Sequence, residues 1–344
     1  MRLHLPILNR AAKRPRFLCE RYRHALREGI GNSSKLAVMM IPGSVIHTRL
    51  TDPNEISRLS QWELDFRQVE PGLMRTDLAI NKGRSLELLR IRMSRAVHQR
   101  GAAPLNRVTF GIPTWPALDN WKGVEPPPAV IVGFGTGAEF DGVGRPGFDA
   151  LTLSLDKEVF IGLADRLGIA VEKIVFEAAL HSAVARPEVL GQLLSHASNS
   201  LNSAAPALGE AEEEAIAAEL LCTLTATERH LDKSSVRKRD RALDRALEYI
   251  SQHGSENLKI GELCVLSGAS WRTLERAFNE RFGVGPKAYA KYLRLHRMRA
   301  ELLAAPPGTP VNAVANRWGF WHMGELARDY RRLFGRLPSE ERTR

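Results

Sequence analysis

Cysteine is scarce in this sequence. The 344 residues hold three, Cys19, Cys222 and Cys264. None forms a C-x-x-C pair, which excludes a disulfide-stapled scaffold or a thiolate zinc site and fits a reducing compartment. No apolar run is long enough for a signal peptide or a membrane helix, so a cytoplasmic protein without a membrane partner is expected. His4, His24, His47 and His98 stand alone, with no H-x-H or H-E-x-x-H, and most of them read as surface positions. No metal and no cofactor are expected. There is also no G-x-S-x-G, and Asp141 and Asp149 lie among glycines, where they read as turn formers. The stretch "AVIVGFGTGAEF" puts Gly133, Gly135 and Ala138 at the spacing of a dinucleotide-binding turn. The "DGVGRPGFDA" after it, rich in Gly and Pro, cannot make the helix such a turn requires, which leaves a β-hairpin or loop. No catalytic residue is assigned and an enzyme is not expected.

Positive charge is abundant and unevenly placed. The formal net charge is +10; residues 236 to 344 hold 21 Lys and Arg against 12 Asp and Glu, and the rest holds 28 against 27. A basic segment favours a polyanionic partner through counterion release, although a solvated basic surface has the same composition. Residues 1–35 begin with eight basic residues among the first 27 and read as a basic arm or a frayed terminus.

The organisation predicted is multidomain α+β. Residues 36–160 carry short β-type runs punctuated by Gly and Pro ("KLAVMMIPG", "RTDLAINKG", "SLELLRIRMS", "NRVTFGIP", "PPPAVIVGFG", "DALTLSLD"), the pattern of a β-sandwich or barrel. Residues 161–230 turn to Ala, Leu and Glu and read as helical. Residues 231–240 are polar and charged, a linker, and 241–340 read as an all-α domain.

That last domain contains a repeat. Ser270, Leu274, Arg276, Phe278, Phe282, Gly283 and Pro286 recur 52 residues later as His322, Leu326, Arg328, Tyr330, Phe334, Gly335 and Pro338. A short apolar helix and a glycine turn precede each copy, the arrangement of a helix-turn-helix DNA reader. With Ser270 as N-cap, Leu274, Ala277, Phe278 and Phe282 fall on a packed side, while Arg272, Glu275, Arg276 and Asn279 form one polar face. Arg suits guanine, Asn suits adenine and Glu accepts from cytosine. Trp271, in the first turn, either meets sugar or a thymine methyl or packs on the preceding helix as a staple. Between the copies, "PKAYAKYLRLHRMRAELLA" predicts one long helix with Tyr289, Leu293, Leu295, Met298 and Leu302 in the core. It is a connector able to hold two recognition helices about one DNA turn apart, roughly 34 Å.

On these motifs (S-x-R-x-L-x-R-x-F, F-G-x-x-P and L-R-L-x-x-M-R, then W-G-F with a second F-G-x-x-P), residues 241 to 340 resemble the AraC/XylS family of bacterial transcription regulators. The resemblance implies a tandem helix-turn-helix domain preceded by a variable effector or dimerisation domain. On that basis 36–160 is the β-rich sensor and 161–230 the helical dimerisation segment. It implies double-stranded DNA, RNA polymerase, a small-molecule effector and a second copy of the chain as partners. Carried over by position, the base-facing residues are Arg272, Thr273, Glu275 and Arg276 in the first helix. In the second they are Met323, Gly324, Ala327 and Arg328. His322 stands where the family has Ser and Tyr330 where it has Phe. Gly324 and Ala327 offer little for base reading, whereas Arg328 and Arg331 suit phosphates, so the first helix should discriminate and the second add affinity. "WGFWHMG…ARDY" looks like the ethanolamine-utilisation branch.

Trp62, Leu64 and Phe66 alternate with polar neighbours along one strand and most simply build the β-core. With Trp115 and Trp121, Trp62 and Phe66 are also candidate walls of an effector pocket, where a cationic effector would be held by cation–π contact. Outside the regulator class, the alternative is an architectural nucleic-acid-binding protein without sequence preference.

Overall fold

The computed structural model describes residues 45–60, 62–113, 118–121, 129–170, 180–203, 208–225, 228–230, 238–253 and 258–342. The basic arm, the run "KLAVMMIPG" and Trp115 lie outside the described residues, and of Trp121 only the backbone is described.

Two antiparallel sheets make the N-terminal part. The larger carries, in spatial order, β1 (Ile46–Leu50), β3 (Thr76–Lys82), β4 (Leu86–Met93), β10 (Phe148–Asp156), β6 (Arg107–Pro113), β8 (Val130–Phe134), β11 (Leu180–Val184) and β12 (Glu228–His230). The smaller carries β2 (Glu63–Gln68), β5 (Val97–Ala102), β9 (Glu139–Gly144) and β7 (Leu118–Trp121). Strand alternation sorts the apolar residues of the large sheet into two cores. On β4, Leu86 and Leu88 join a core shared with helices, while Leu89, Ile91 and Met93 join the core between the sheets. This double burial is why "LELLRIRM" carries adjacent leucines, Leu88 and Leu89, on opposite faces.

Helices α1 (Lys157–Arg166), α2 (Pro187–Asn202) and α3 (Glu210–Thr225) cover the outer face of the large sheet. Asp156 caps α1 by accepting from Glu158 N and Val159 N. Buried Glu213 of α3 accepts the backbone N–H groups of Arg84, Ser85 and Leu86, tying that helix to the β3–β4 turn. The boundary expected at residue 160 therefore does not divide two units: β11 and β12 enter the sheet. The apolar rows Leu190, Leu193, Ala197 and Leu201 of α2 and Ile216, Leu220 and Leu221 of α3 bury against it. "EFDGVG" is likewise a strand and not a turn. Gly144 belongs to it because a Cβ there would lie 3.0 Å from the Phe148 ring.

The C-terminal part is helical: α4 (Lys238–Gln252), α5 (Ile260–Ser267), α6 (Trp271–Phe282), α7 (Pro286–Ala304), α8 (Val311–Arg317) and α9 (Met323–Phe334). Helix α4 begins inside the stretch expected to be linker, of which 231–237 lie outside the described residues. Gly268 and Gly319, at φ +69° and +72°, make the turns before the two repeated helices. Each repeat has its own core: Leu247, Leu263, Leu274, Phe278 and Phe282 in the first, Val314, Leu326, Tyr330 and Phe334 in the second. The 19-residue α7 spans about 28 Å and gives Tyr289 and Leu293 to one core, Leu295, Met298 and Leu302 to the other. Among the described residues no helix is long and apolar enough to cross a membrane. Among the same residues no group of three His, Cys, Asp or Glu stands where it could hold a metal ion.

Candidate nucleic-acid interface

Helix α6 starts where the sequence places it. Ser270 Oγ accepts the Thr273 N–H at 3.2 Å, and Leu274, Ala277, Phe278 and Phe282 are buried. Arg272, Thr273, Glu275, Arg276 and Asn279 are all exposed along one face. Arg276 Nε reaches Glu280 at 2.7 Å with its side chain 73% exposed. A surface pair of that kind is worth at most about 1 kcal/mol and is readily exchanged for a base edge or a phosphate. Asn279 Nδ2 donates to the Glu275 carbonyl at 2.8 Å. Trp271 is half-buried against the first core with the Lys287 ammonium 5.9 Å from its ring, so packing accounts for its position.

The corresponding face of α9 is plainer. His322 occupies the N-cap of α9, but its side chain makes no cap hydrogen bond. Met323 is half-buried on the second core, Gly324 is exposed, Ala327 is half-buried, and Arg328, Arg331 and Arg332 are exposed. Just before this helix Trp321 is 69% exposed, a large apolar ring at the helix entrance. The sequence hides it among the other aromatics of "WGFW".

Behind the reading faces, the outer side of the small sheet docks on the helical part through residues that sequence reasoning did not select. Arg67 of β2 donates to Asp65 at 2.6 Å and to the Tyr289 hydroxyl at 3.0 Å. The hydroxyl lies 2.7 Å from His98 Nδ1, and His98 Nε2 lies 3.0 Å from Asp141. Asp141 also takes Arg100 Nε at 3.0 Å and Arg281 Nη2 from α6 at 2.5 Å. Because Arg67 can only donate, the hydroxyl proton points to His98 Nδ1 and the imidazole carries its own proton on Nε2, toward Asp141. Burial pushes His98 down to about 4 against the pull of Asp141. Burial raises Asp141, but the contact with His98 and the charges of Arg281 and Arg100 outweigh it and hold the carboxyl well below the usual range. His98 is thus fully buried and not a surface residue, and Asp141 is a buried counter-ion and not a turn former. Their strands looked half-solvated because the helical module supplies the cover.

The same sheet reaches the second repeat. Gln68 Nε2 donates to the Leu333 carbonyl at 2.7 Å and Gly72 N to the Arg332 carbonyl at 3.0 Å, both at the end of α9. His296 Nε2 donates to the Gln68 carbonyl at 3.1 Å, and Arg299, bound to Glu341 at 2.9 Å, approaches Asp52 at 3.9 Å. One β-domain therefore holds both repeats and the helix between them.

Trp62 and Phe66 face inward, where the two sheets line a cavity of about 80 Å³. Trp62, Phe134 and Phe140 meet edge to face at 5.2 to 5.8 Å.

A helix-turn-helix domain family profile matches residues 263–344. A probable thc operon regulatory protein of Rhodococcus erythropolis is 34% identical over 97 residues, 28% of this chain and 29% of its own length. The XylDLEGF operon transcriptional activator 1 of Pseudomonas putida is 31% identical over 102 residues, 29% and 30%. The chain thus spans less than a third of the length of these curated relatives. The crystal structure of a probable AraC family transcriptional regulator from Rhodopseudomonas palustris CGA009 is 37% identical. It covers 29% of this chain and 93% of its own, with a TM-score of 0.28.

Proposed function

Because the chain belongs, through its C-terminal third, to the AraC/XylS family of transcription regulators, we propose that it reads double-stranded DNA with two recognition helices. We further propose that it changes its grip in response to a small molecule held by its N-terminal domain. The observation that carries this reading is the exposed row Arg272, Glu275, Arg276 and Asn279, repeated in position though not in chemistry on α9, with one rigid helix setting the spacing. The first helix supplies most of the base discrimination. The second, with Gly324 and Ala327 at its reading positions, adds phosphate affinity through Arg328 and Arg331. RNA polymerase and a second copy of the chain are the protein partners, the exposed side of the α2–α3 layer being the dimerisation surface. Regulation is linkage: a ligand shifts DNA affinity only by as much as it distinguishes two arrangements of sensor and reader.

Selection of random duplex DNA by the full-length protein at physiological salt tests this. An enriched motif with two patches about a helical turn apart is expected. Salt-sensitive binding without an enriched motif would replace the regulator with an architectural nucleic-acid binder.

A further inference from the structure

The cavity between the sheets has walls of one chemistry and two exceptions. Trp62, Phe66, Phe134, Phe140, Phe148 and Ile91 give it aromatic and aliphatic surface, and no Asp, Glu, Lys, Arg or His is among the described residues lining it. The exceptions are Thr152, whose hydroxyl already donates to the Leu89 carbonyl, and Gln99, only 7% exposed, whose Nε2 finds no acceptor among the described residues. Folded proteins rarely leave a buried amide N–H unpaired without a use for it. Size adds a second constraint. The cavity measures about 80 Å³, whereas a cavity that binds benzene measures about 150 Å³, so a ring-sized guest enters only if a wall gives way.

The walls that would give way carry the helical module on their other side. Phe66 sits between Asp65 and Arg67, Gln99 between His98 and Arg100, and Phe140 beside Asp141. The register places Phe66 opposite Gln99 on the cavity side. It places Arg67 opposite His98, and Asp65, Arg100 and Asp141 in one row, on the docking side. Residues that meet a guest and residues that hold Tyr289 and Arg281 thus alternate along the same strands.

Building on the sensor reading above, we propose that the cavity takes a small, uncharged, mainly apolar molecule with one hydrogen-bond acceptor. Gln99 donates to that acceptor, and entry of the molecule pushes β2, β5 and β9 against the DNA-binding module. Charge argues the ligand class. A cation would find no carboxylate and a carboxylate no cation, and burying either unpaired is prohibitive. The cationic effector suggested by the ethanolamine resemblance therefore does not suit this cavity.

Calorimetric titration of the full-length protein with acetophenone, ethylbenzene, benzoate and benzylammonium tests both halves without DNA, so a failure here is separable from failure of the DNA selection. Acetophenone is expected to bind. Gln99→Leu should weaken it about tenfold and leave ethylbenzene, the analogue that lacks the carbonyl oxygen, unchanged. Arg281→Met cuts the docking seam without touching the cavity and should tighten acetophenone several-fold, because coupling between two sites is reciprocal. Tyr289→Phe is a milder cut with the same expected direction, should Arg281→Met fail to fold. No binding of either neutral probe, tighter binding of benzoate or benzylammonium, or an unchanged affinity in Gln99→Leu would overturn the ligand assignment. Unchanged acetophenone affinity in the seam variants would overturn the transmission.

Discussion

The two helix-turn-helix halves are copies in sequence, yet the β-domain holds them by different chemistry. The first half is gripped through side chains that are charged or titratable: Arg281 on Asp141, and Tyr289 between Arg67 and His98. The second is gripped mainly at backbone carbonyls, with Gln68 and Gly72 donating to the last carbonyls of α9 and His296 to that of Gln68, beside one long ion pair of Arg299 with Asp52 at 3.9 Å. Bonds to backbone carbonyls ask little of the sequence they meet, and of the donors named here His296 is the one that ordinarily titrates near neutral pH. A buried ion cluster demands particular side chains on both sides, so the seam on the first half is the more specific and the more brittle, and through His98 it is sensitive to pH. On the division of labour proposed above, the half assigned most of the base reading is therefore also the half whose docking switches more readily.

Removing Asp141 should break this asymmetry most severely. Asp141→Ala leaves Arg281, 8% exposed, and Arg100 without their shared carboxylate. A loss of about 3–5 kcal/mol in urea denaturation is expected. Pairing it with Arg281→Met should recover part of that loss; strictly additive losses would mean that the two groups do not interact. Acid should act on the same seam. The folded value for His98, about 4, lies below its usual 6.5. Between those limits the unfolded chain binds more protons, so stability is complete above about pH 6.5 and falls as pH drops toward 4. The groups facing His98 are Arg67 from β2, Arg100 on its own strand, Asp141 from β9 and Tyr289 from α7. His98→Gln should flatten that slope in part, the remainder coming from His296, also near 4 through burial. An unchanged slope would place the titration elsewhere.

A matched pair of glycines sharpens the comparison at the second seam. Gly283 and Gly335 end the two repeated helices α6 and α9 at φ +70° and +73°, so Ala at either carries the same backbone penalty, about 1–2 kcal/mol. Their surroundings differ. A Cβ on Gly283 meets open space, whereas one on Gly335 would lie 2.8 Å from Leu73 Cβ and N. Gly335→Ala should cost at least about 1 kcal/mol more than Gly283→Ala by thermal or urea melting. Equal costs would show that the second seam yields freely.

On the DNA side the same contrast predicts two kinds of loss. Arg276→Ala should cost about 1–3 kcal/mol and relax preference at one base position, while Arg331→Ala should weaken all sequences alike and lower the salt slope by about one. Uniform loss from both, measured on selected and scrambled duplexes, would erase the division of labour between the helices.

What the sequence revealed and what it withheld follow from the range of the interactions. Capping by Ser270, the packed side of α6, the repeat and the shared helix α7 are local in periodicity, and all of them are visible in "GASWRTLERAFNERFG" and its partner. The strands "TDLAINK", "LELLRIRM" and "FDALTLSLD" are legible for the same reason. The docking seam is not local: Arg67 and Tyr289 lie 222 residues apart and Asp141 and Arg281 lie 140 apart. On its own strand each charged residue looks like an ordinary solvated face. Gln99 is illegible similarly, since a polar residue alternating with His98 and Arg100 gives no sign of which side is covered. The helices after residue 160 were legible as helices, but β11 and β12 are too short, and too far from the strands they extend, to announce that they join the sheet.

The smallest effect should come from the caps, and it isolates the halves from every contact with the β-domain. Ser270 satisfies the free Thr273 N–H, and His322 satisfies no corresponding group with its side chain. Ser270→Ala should therefore cost about 1 kcal/mol, and His322→Ala close to nothing. His322→Ser should add up to about 1 kcal/mol by giving the second helix the cap the first one has. The cost or gain belongs to helix termini at the solvent surface, so none of the three should shift the acid limb of the stability curve, which belongs to the buried seam. A loss from His322→Ala as large as that from Ser270→Ala would mean that the imidazole caps α9 after all, and the two halves would then differ only in what they read and how they are held.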